Sequence, residues 1–195
     1  QAFHSLFSHI PGLKVVMPST PYDAKGLMIS AIKDDNPVVF IDDRCLYAVE
    51  EYVPTEIYSI PIGKGIIRRR GKDITLVAIS YITNESIRVA KEFEKDGIDV
   101  EVIDLRSAKP LDKELILGSV KKTGRLVVAD VGWKSYGLSG EISALVSENI
   151  LQYLKAPVVR VTLPDCPAPA SRELEKEYYP GYREITVAVK EILKK

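Results

Sequence analysis

The chain has 195 residues, which is the size of one large domain or of one domain with part of a second. Apolar residues make up 46% of it and charged residues 28%, as in an ordinary globular protein. Lysine plus arginine and aspartate plus glutamate each number 27, so the net charge is zero. That balance argues against general binding to nucleic acid or to an anionic membrane, and no apolar run is long enough to cross a bilayer.

The two cysteines indicate a cellular compartment, and the first residues indicate whether the sequence is part of a longer protein. Cys45 and Cys166 lie far apart and give neither a disulfide framework nor a zinc spacing. With no signal peptide at the start, this usage predicts reduced thiols and a cytoplasmic location. The chain starts at Gln1 and reads at once like the interior of a sequence, so we expect it to be part of a longer protein.

The first part of the chain predicts strand, helix and strand, at residues 15–17, 20–34 and 38–41. Pro21 falls in the first helical turn, where proline is favoured, and Asn36-Pro37 ends the helix. Residues 42–62 follow no clean period and contain Pro54 and Pro61, which is typical of an interdomain linker.

A second unit begins at Gly63. Extended segments at 64–69 and 74–80, joined by the polar turn Arg70-Gly71-Lys72-Asp73, predict a β-hairpin. Helices and strands then alternate, at 84–97, 100–105, 112–124, 125–131, 138–154, 157–163 and 183–193. This order predicts an α/β fold: a mostly parallel sheet with helices on both faces and one antiparallel edge strand.

His4 and His9 are the only two histidines and stand five residues apart. A metal-binding pair on one helix prefers a spacing of three or four, and no nearby carboxylate or cysteine completes a site. We therefore favour a structural role for each, in capping, packing or interface hydrogen bonding. Acid–base chemistry is the alternative.

Residues 130–140 join a predicted strand to a predicted helix and contain three glycines. The glycine spacing matches neither the dinucleotide fingerprint nor the Walker pattern, so a phosphate loop is the weaker interpretation. Trp133, the only tryptophan, stands in this turn, and aromatic anchors serve interfaces. The segment predicts a surface loop at a subunit contact.

For the other charged and reactive residues we favour structural roles over catalytic ones. The basic cluster at residues 68–72 predicts a solvated hairpin tip. Asp104 and Arg106, at a strand end, predict an ion pair that fixes the following loop. Cys166 lies between prolines with no histidine near it in sequence, which argues against a nucleophile.

Ordered blocks over essentially the whole chain resemble one known family. They are residues 3–12 with the following LKVVMPSTPYDAKG, then AIKDDNP, VEVIDLR, KKTGRLVV, APVVRV, PDCPAP and Tyr179-Pro180. In these blocks the chain is similar to the β subunit of the thiamin-diphosphate-dependent 2-oxo acid dehydrogenases, the E1 components of the pyruvate and branched-chain complexes. The Gly132-Trp133 turn is closer to the pyruvate type, whereas Asp130-Val131 departs from the usual start of that turn.

The resemblance implies a division and an assembly. Residues 1–43 would be the end of a pyrimidine-binding domain, 44–62 a linker and 63–195 a transketolase-type C-terminal domain. A separate α subunit would bind the diphosphate and magnesium, and an α2β2 heterotetramer would hold thiamin diphosphate between α and β. The C-terminal domain would contribute to the β–β contact and dock on the dihydrolipoyl acyltransferase core.

The family's catalytic residues do not carry over. Gln1 matches the last residue of the family's His-Ser-Gln motif, so the catalytic histidine would precede Gln1, and His4 and His9 do not match it. The glutamate that acts on the aminopyrimidine ring also lies upstream. The resemblance therefore assigns this chain no catalytic and no cofactor-binding residue.

One metal site partly carries over. Several members bind a structural potassium ion largely through main-chain carbonyls, and the matching residues here are Ala31, Ile32, Asp34 and Asn36. A helix C-terminus leaves carbonyl oxygens free, and hard oxygen ligands suit a hard cation. The alternative is a simple helix end capped by Asp34 and Asn36, and one further expected ligand lies upstream.

The function implied is that of an E1 β subunit in the oxidative decarboxylation of pyruvate or a related 2-oxo acid, with acyl transfer to a lipoyl group. This stretch would serve assembly and docking and would not supply catalytic groups. Two alternatives stay open: a transketolase or deoxyxylulose-phosphate-synthase relative, which share the C-terminal fold, and a non-catalytic dimerisation module.

Overall fold

The computed structural model of the chain describes residues 2–194. Its helices are α1 His4–His9, α2 Pro21–Ile32, α3 Ile82–Glu94, α4 Lys113–Thr123, α5 Leu138–Ile150, α6 Arg172–Tyr178 and α7 Tyr182–Leu193. Its strands are β1 Lys14–Val16, β2 Val38–Phe40, β3 Ile66–Arg69, β4 Ile74–Ala78, β5 Val100–Asp104, β6 Ser107–Lys109, β7 Leu126–Trp133 and β8 Val159–Leu163. Among the described helices, none is long and apolar enough to cross a membrane.

A five-stranded sheet in the order β3-β5-β4-β7-β8 forms the larger part of the fold. β4, β5, β7 and β8 run parallel, and β3 is the one antiparallel edge strand. α3 packs against α7, and α4 packs against α5, so that helices cover the sheet. All five residues of β4 and of β5 are buried, as expected when both faces of a parallel sheet are covered. The predicted α/β architecture with its antiparallel edge is confirmed.

The predicted hairpin is wrong, because β3 pairs with β5 and not with β4. β4 already has a parallel partner on each side, so β3 can only add to the free edge of β5. The turn after β3 lies against the residues just before β5, where the amides of Lys72 and Asp73 donate to the Asp99 carbonyl. Gly71 permits this approach, since a Cβ there would lie 2.3 Å from the Glu101 nitrogen.

A second sheet of three strands has the order β2-β1-β6. β1 and β2 are parallel, as the helix between them requires, and β6 adds antiparallel to β1. β6 was not predicted, because three residues are too few to show a period. It brings residues 107–109 against residues 15–16, so this sheet contains chain from both of the predicted units.

Several element ends follow the sequence signals. Asp112 caps α4 by accepting from the Leu115 amide, and Gly124 closes the helix with a left-handed φ of 73°. The predicted helix 138–154 is shorter, because α5 ends at Ile150 and a 3-10 turn, Leu151–Tyr153, follows. α1 and α6 were not predicted.

The segment 42–62 contains one short 3-10 helix, Arg44–Leu46, and otherwise neither helix nor strand. It is nevertheless packed against α2. The Tyr58 ring stacks on Tyr22 with centroids 4.5 Å apart, and its hydroxyl donates to the Tyr22 carbonyl. Ile60 is buried, and Ser30 donates to the Ile60 carbonyl.

Candidate functional site

A buried ionic cluster joins α2 to the ends of β3 and β5. It consists of Ser19, Asp23, Arg68, Asp104 and Arg106, of which the two aspartates are almost completely inaccessible to solvent. The Arg68 guanidinium donates to Asp104 Oδ2 at 2.9 Å and also to Asp23. Ser19 donates to Asp104 at 2.5 Å. Opposite charges this deeply buried are expected to be paired, and here they are.

Arg106 completes this cluster from a left-handed backbone conformation, with a φ of 57°. Its guanidinium lies 3.2 Å from Asp23 and donates to the Lys64 carbonyl at 2.7 Å. Burial lowers the pKa of Arg106, and the neighbouring Asp104 opposes that shift. Burial raises the pKa of Asp104, and the Arg68 guanidinium and the Ser19 hydroxyl oppose the rise.

Two interpretations of the charged residues are thereby corrected. Arg68 is not part of a solvated tip, because its side chain reaches the two buried aspartates. Asp104 does not form its ion pair with Arg106; it accepts from the Arg106 backbone amide, while its charge is met by Arg68. Sequence analysis missed the role of Asp23. The one available signal was Asp104 itself, since a carboxylate that closes a buried strand requires a cation nearby.

His4 forms a second buried pair, with Asp130 in β7. Its Nε2 lies 2.9 Å from Asp130 Oδ1, and both residues are at most 1% exposed. The amides of Gly132 and Ser139 also donate to this carboxylate, each at 3.0 Å. Burial alone would raise the pKa of Asp130, but the His4 contact and the two amides outweigh burial and lower it. His4 thus takes a packing role, which was the favoured interpretation.

His9 lies on the surface of a groove beside α1. The groove has a volume of about 950 Å³ and is bordered by α1, the segment around Pro110 and the turn between β7 and α5. Lys109 fixes the end of α1, since its ammonium donates to the Ser8 carbonyl at 2.6 Å. His4 and His9 are therefore not brought together. Residues 2–194 contain no cluster of three or more histidine, cysteine or acidic side chains that could hold a metal ion.

The predicted potassium residues surround the end of α2. Asp34 accepts from Lys14 Nζ at 2.5 Å and from the Asn36 amide at 2.9 Å, and chiefly because of Lys14 its pKa falls to about 2. The Ala31 carbonyl accepts from the Asp34 amide at 3.4 Å. Across residues 2–194, no hydrogen bond reaches the carbonyls of Ile32, Asp34 or Asn36. Free main-chain oxygens are the ligand type that a hard cation prefers, whereas the Asp34 carboxylate is already paired with Lys14.

Trp133 and the two cysteines, which the sequence analysis also considered, lie outside the buried pairs. Trp133 donates from Nε1 to the Cys166 carbonyl at 3.1 Å and to the Tyr178 hydroxyl at 3.0 Å. Both cysteines are exposed and neither forms a disulfide. Although Cys45 is exposed at its surface, partial desolvation of the thiol and the nearby Asp43 raise its pKa, which disfavours the reactive thiolate form.

Two family models match the chain. The transketolase C-terminal domain matches residues 63–185, and the transketolase pyrimidine-binding domain matches residues 1–49. A solved split-gene transketolase, described as an inactive beta4 tetramer, superposes with a TM-score of 0.85 at 27% identity. That superposition covers 98% of this chain and 61% of the other.

The curated relatives are subunits of oxidoreductases. An acetoin:2,6-dichlorophenolindophenol oxidoreductase subunit beta of Bacillus subtilis is 41% identical over 99% of this chain and 56% of its own length. A pyruvate dehydrogenase E1 component subunit beta of the same organism is 40% identical over 98% of this chain and 59% of its own. A third relative, of Rhizobium meliloti and also named pyruvate dehydrogenase E1 component subunit beta, is 44% identical. The chain thus spans well under two thirds of the length of these relatives.

Proposed function

Because the chain belongs to the transketolase C-terminal domain family, we propose that it forms part of an E1 β subunit of a 2-oxo acid dehydrogenase complex. The reaction is the oxidative decarboxylation of pyruvate or a related 2-oxo acid, with transfer of the acyl group to a lipoyl arm. The observation that carries this proposal is the similarity, at 38% to 44% identity, to such β subunits over almost the whole chain.

Thiamin diphosphate is the cofactor that this class of enzyme requires, and when bound it supplies the carbanion chemistry. In the proposal the α subunit binds its diphosphate and magnesium. This chain's own residues hold the protein framework in place. The buried ionic cluster fixes α2 against β5, and His4 fixes α1 against β7. Neither group is placed to transfer a proton to a substrate, since both are buried and paired within the fold, the cluster through its ion pairs and His4 through Nε2.

A potassium ion at the end of α2 is part of the same proposal. The carbonyl oxygens of Ile32, Asp34 and Asn36 would hold it, with Ala31 at the edge of the site. Lys14 would stay on the Asp34 carboxylate, so the ion would be bound by main-chain oxygen alone.

The partners proposed are an α subunit, a second β subunit and the dihydrolipoyl acyltransferase core. The division into residues 1–43, 44–62 and 63–195 belongs to the proposal and is supported by the two family matches. A cytoplasmic location, which would keep the exposed thiols of Cys45 and Cys166 reduced, is proposed with it.

A transketolase-type reaction is the second candidate. The structural similarity to a split-gene transketolase, with a TM-score of 0.85, favours it. The relatives named as acetoin oxidoreductases raise acetoin as a further substrate. Fold similarity alone does not decide between reactions.

The test is an assay of dye reduction dependent on thiamin diphosphate. The subunit, in the full length that its gene encodes, is co-expressed with its α subunit and offered pyruvate, branched-chain 2-oxo acids and acetoin. We expect reduction with pyruvate. An assembled, cofactor-loaded tetramer that reduces dye with none of them would refute the dehydrogenase assignment. Formation of a ketose phosphate would support the transketolase alternative.

A further inference from the structure

The buried ionic cluster joins the two parts of the chain that the family models distinguish. On one side, Asp23 lies in the stretch 1–49 that matches the pyrimidine-binding domain. On the other side, Arg68 and Asp104 lie in the stretch 63–185 that matches the transketolase C-terminal domain. Arg68 donates to both carboxylates, and both are at most 1% exposed. Its guanidinium therefore bridges one buried carboxylate from each part.

The Asp23 carboxylate is held from two directions. Arg106 lies 3.2 Å from its Oδ1, and Arg68 donates to its Oδ2. The Thr20 hydroxyl also donates to Oδ2, at 3.2 Å. Guanidinium groups on both oxygens of one carboxylate fix its plane as well as its position. Because Asp23 lies in the first turn of α2, these contacts set the direction in which the helix leaves the junction.

Arg106 has a strained backbone at the same junction. Its φ of 57° is left-handed, a region that residues other than glycine, asparagine and aspartate rarely adopt. In this conformation its carbonyl accepts from the Met17 amide at 2.8 Å while its guanidinium reaches Asp23. Arg106 thus contacts the other part of the chain through main chain and side chain at once. Such strain persists where the surrounding structure enforces it, and it clusters at functional sites.

The energetics of the junction favour a role in orientation. Burying ions costs desolvation energy, so a buried ion pair adds little net stability compared with an apolar contact of the same size. It does add direction, because a forked guanidinium accepts a carboxylate in few geometries. Leu27, the buried apolar side chain of α2, packs with Val16 and Ile60 in a small apolar cluster that is separate from the main core. The orientation of α2 on the C-terminal domain is therefore set by charge and not by a shared apolar core.

We propose that Arg68 is a positioning residue: acting through Asp23, it sets the orientation of the pyrimidine-binding part and thereby the affinity for thiamin diphosphate. The inference rests on the proposed function and gives the C-terminal domain a part in cofactor binding through the junction. When the guanidinium fork is lost, the pyrimidine-binding part also populates other orientations on the C-terminal domain. Only the competent fraction binds cofactor, so the apparent dissociation constant rises in inverse proportion to that fraction.

The test uses the subunit in the full length that its gene encodes, assembled with its α subunit. Arg68→Lys keeps the charge and removes the fork. Titration calorimetry with thiamin diphosphate in the presence of Mg²⁺ measures the dissociation constant, which we expect to rise about tenfold or more. The matched control is Arg69→Lys, because Arg69 pairs with Glu94 and Asp99 inside the C-terminal domain. Its dissociation constant should equal that of the wild type.

The turnover number separates positioning from loss of structure. Saturating cofactor draws the molecules into the competent orientation, so kcat of Arg68→Lys at saturation should stay within about twofold of the wild type. A merely structural role gives the opposite result: fewer active molecules, a lower kcat and an unchanged dissociation constant. Asp23→Asn keeps the shape of the side chain and removes its charge. It should raise the dissociation constant as well, and it decides the question if Arg68→Lys does not fold.

Three outcomes separate this inference from the proposed function. An unchanged dissociation constant in the folded variants at Arg68 and Asp23, or an equal rise in Arg69→Lys, would overturn the inference and leave the proposed function standing. A wild-type tetramer that binds thiamin diphosphate but reduces dye with no 2-oxo acid would refute only the proposed reaction, and the dissociation constants would still decide the inference. A wild-type tetramer that binds no thiamin diphosphate would refute both.

Discussion

The side chains of His4 and Asp130 meet across 126 positions of sequence and are both shut off from solvent. Asp130 accepts three hydrogen bonds, from His4 and from the amides of Gly132 and Ser139. The carboxylate therefore fastens α1 to β7 and fixes the start of α5 at the same time. A single ionised carboxylate thus holds α1, β7 and α5 together.

Replacing Asp130 with asparagine should destabilise the chain by about 3 kcal/mol, because one charge and one acceptor are lost in a buried site. Urea unfolding followed by circular dichroism measures the change. His9→Ala is the control, since His9 is exposed and its removal should shift stability by no more than about 0.5 kcal/mol. An equal loss in both variants would contradict the role given to Asp130.

The same substitution has a pH signature. The pKa of Asp130 is lowered in the folded chain, so its contribution is complete above the ordinary aspartate range and is lost as the pH falls through the lower, folded value. The free energy of unfolding of the native chain should therefore fall on acidification, and that of Asp130→Asn should fall less. Parallel pH curves for the two proteins would argue against the lowered pKa.

Replacing Arg68 with alanine should cost about 3 to 5 kcal/mol, because it leaves two buried carboxylates short of a cation. The neighbouring exposed Arg70 provides the matched control, and Arg70→Ala should be nearly neutral. Urea unfolding of the two variants under identical conditions makes the comparison. If the two arginines proved equivalent, the ionic cluster would not be the junction described above.

Two glycines give a paired prediction on backbone packing. Gly71→Ala should destabilise the chain by about 2 kcal/mol or more, because the new Cβ meets backbone atoms at 2.3 Å that have no room to move. Gly118→Ala should stabilise it by about 0.5 to 1 kcal/mol, since Gly118 is inside α4 and its Cβ position is open. Thermal melting of both variants checks the opposite signs.

The potassium proposal predicts that KCl raises the melting temperature above that in choline chloride at equal ionic strength, by mass action on the folded state. Lys14→Met tests the geometry. It frees the Asp34 carboxylate, adds an oxygen ligand of negative charge and should strengthen the potassium effect. Equal melting temperatures in both salts, for both proteins, would count against a site at this helix end.

The individual helices and strands could largely be predicted from the sequence, whereas the pairing between distant strands could not. The apolar runs of β4, β5 and β7 and the caps of α4 depend on local periodicity and on single residues such as Asp112, and both can be read directly. The pairing of β3 with β5 depends instead on which strand edge stays free once β4 has two partners. That is a property of the whole sheet, and no window around residues 66–78 contains it.

The site residues show the same division. The contact between Asp34 and Asn36 could be predicted, since both residues stand at a helix end recognisable from its proline, whereas the ion pair of Asp34 with Lys14 was not predicted. The cluster around Asp104 could not, because Asp23 and Arg68 come from elements 36 to 81 positions away and pair only after the two sheets are in place. Tyr136 lies within a segment expected at a contact, but nothing in its local sequence indicates its full exposure or its left-handed backbone.

The antiparallel addition of β6 to β1 has a consequence for biosynthesis. During translation, residues 14–40 leave the ribosome with the whole of β1 and β2 but with one edge of β1 unpaired, and the strand that closes it arrives only at residue 109. The small sheet is therefore finished after β4, α3 and β5 have emerged. Such long-range closure slows folding, and the nascent chain carries an exposed strand edge until then, where a chaperone or a neighbouring nascent chain could pair with it.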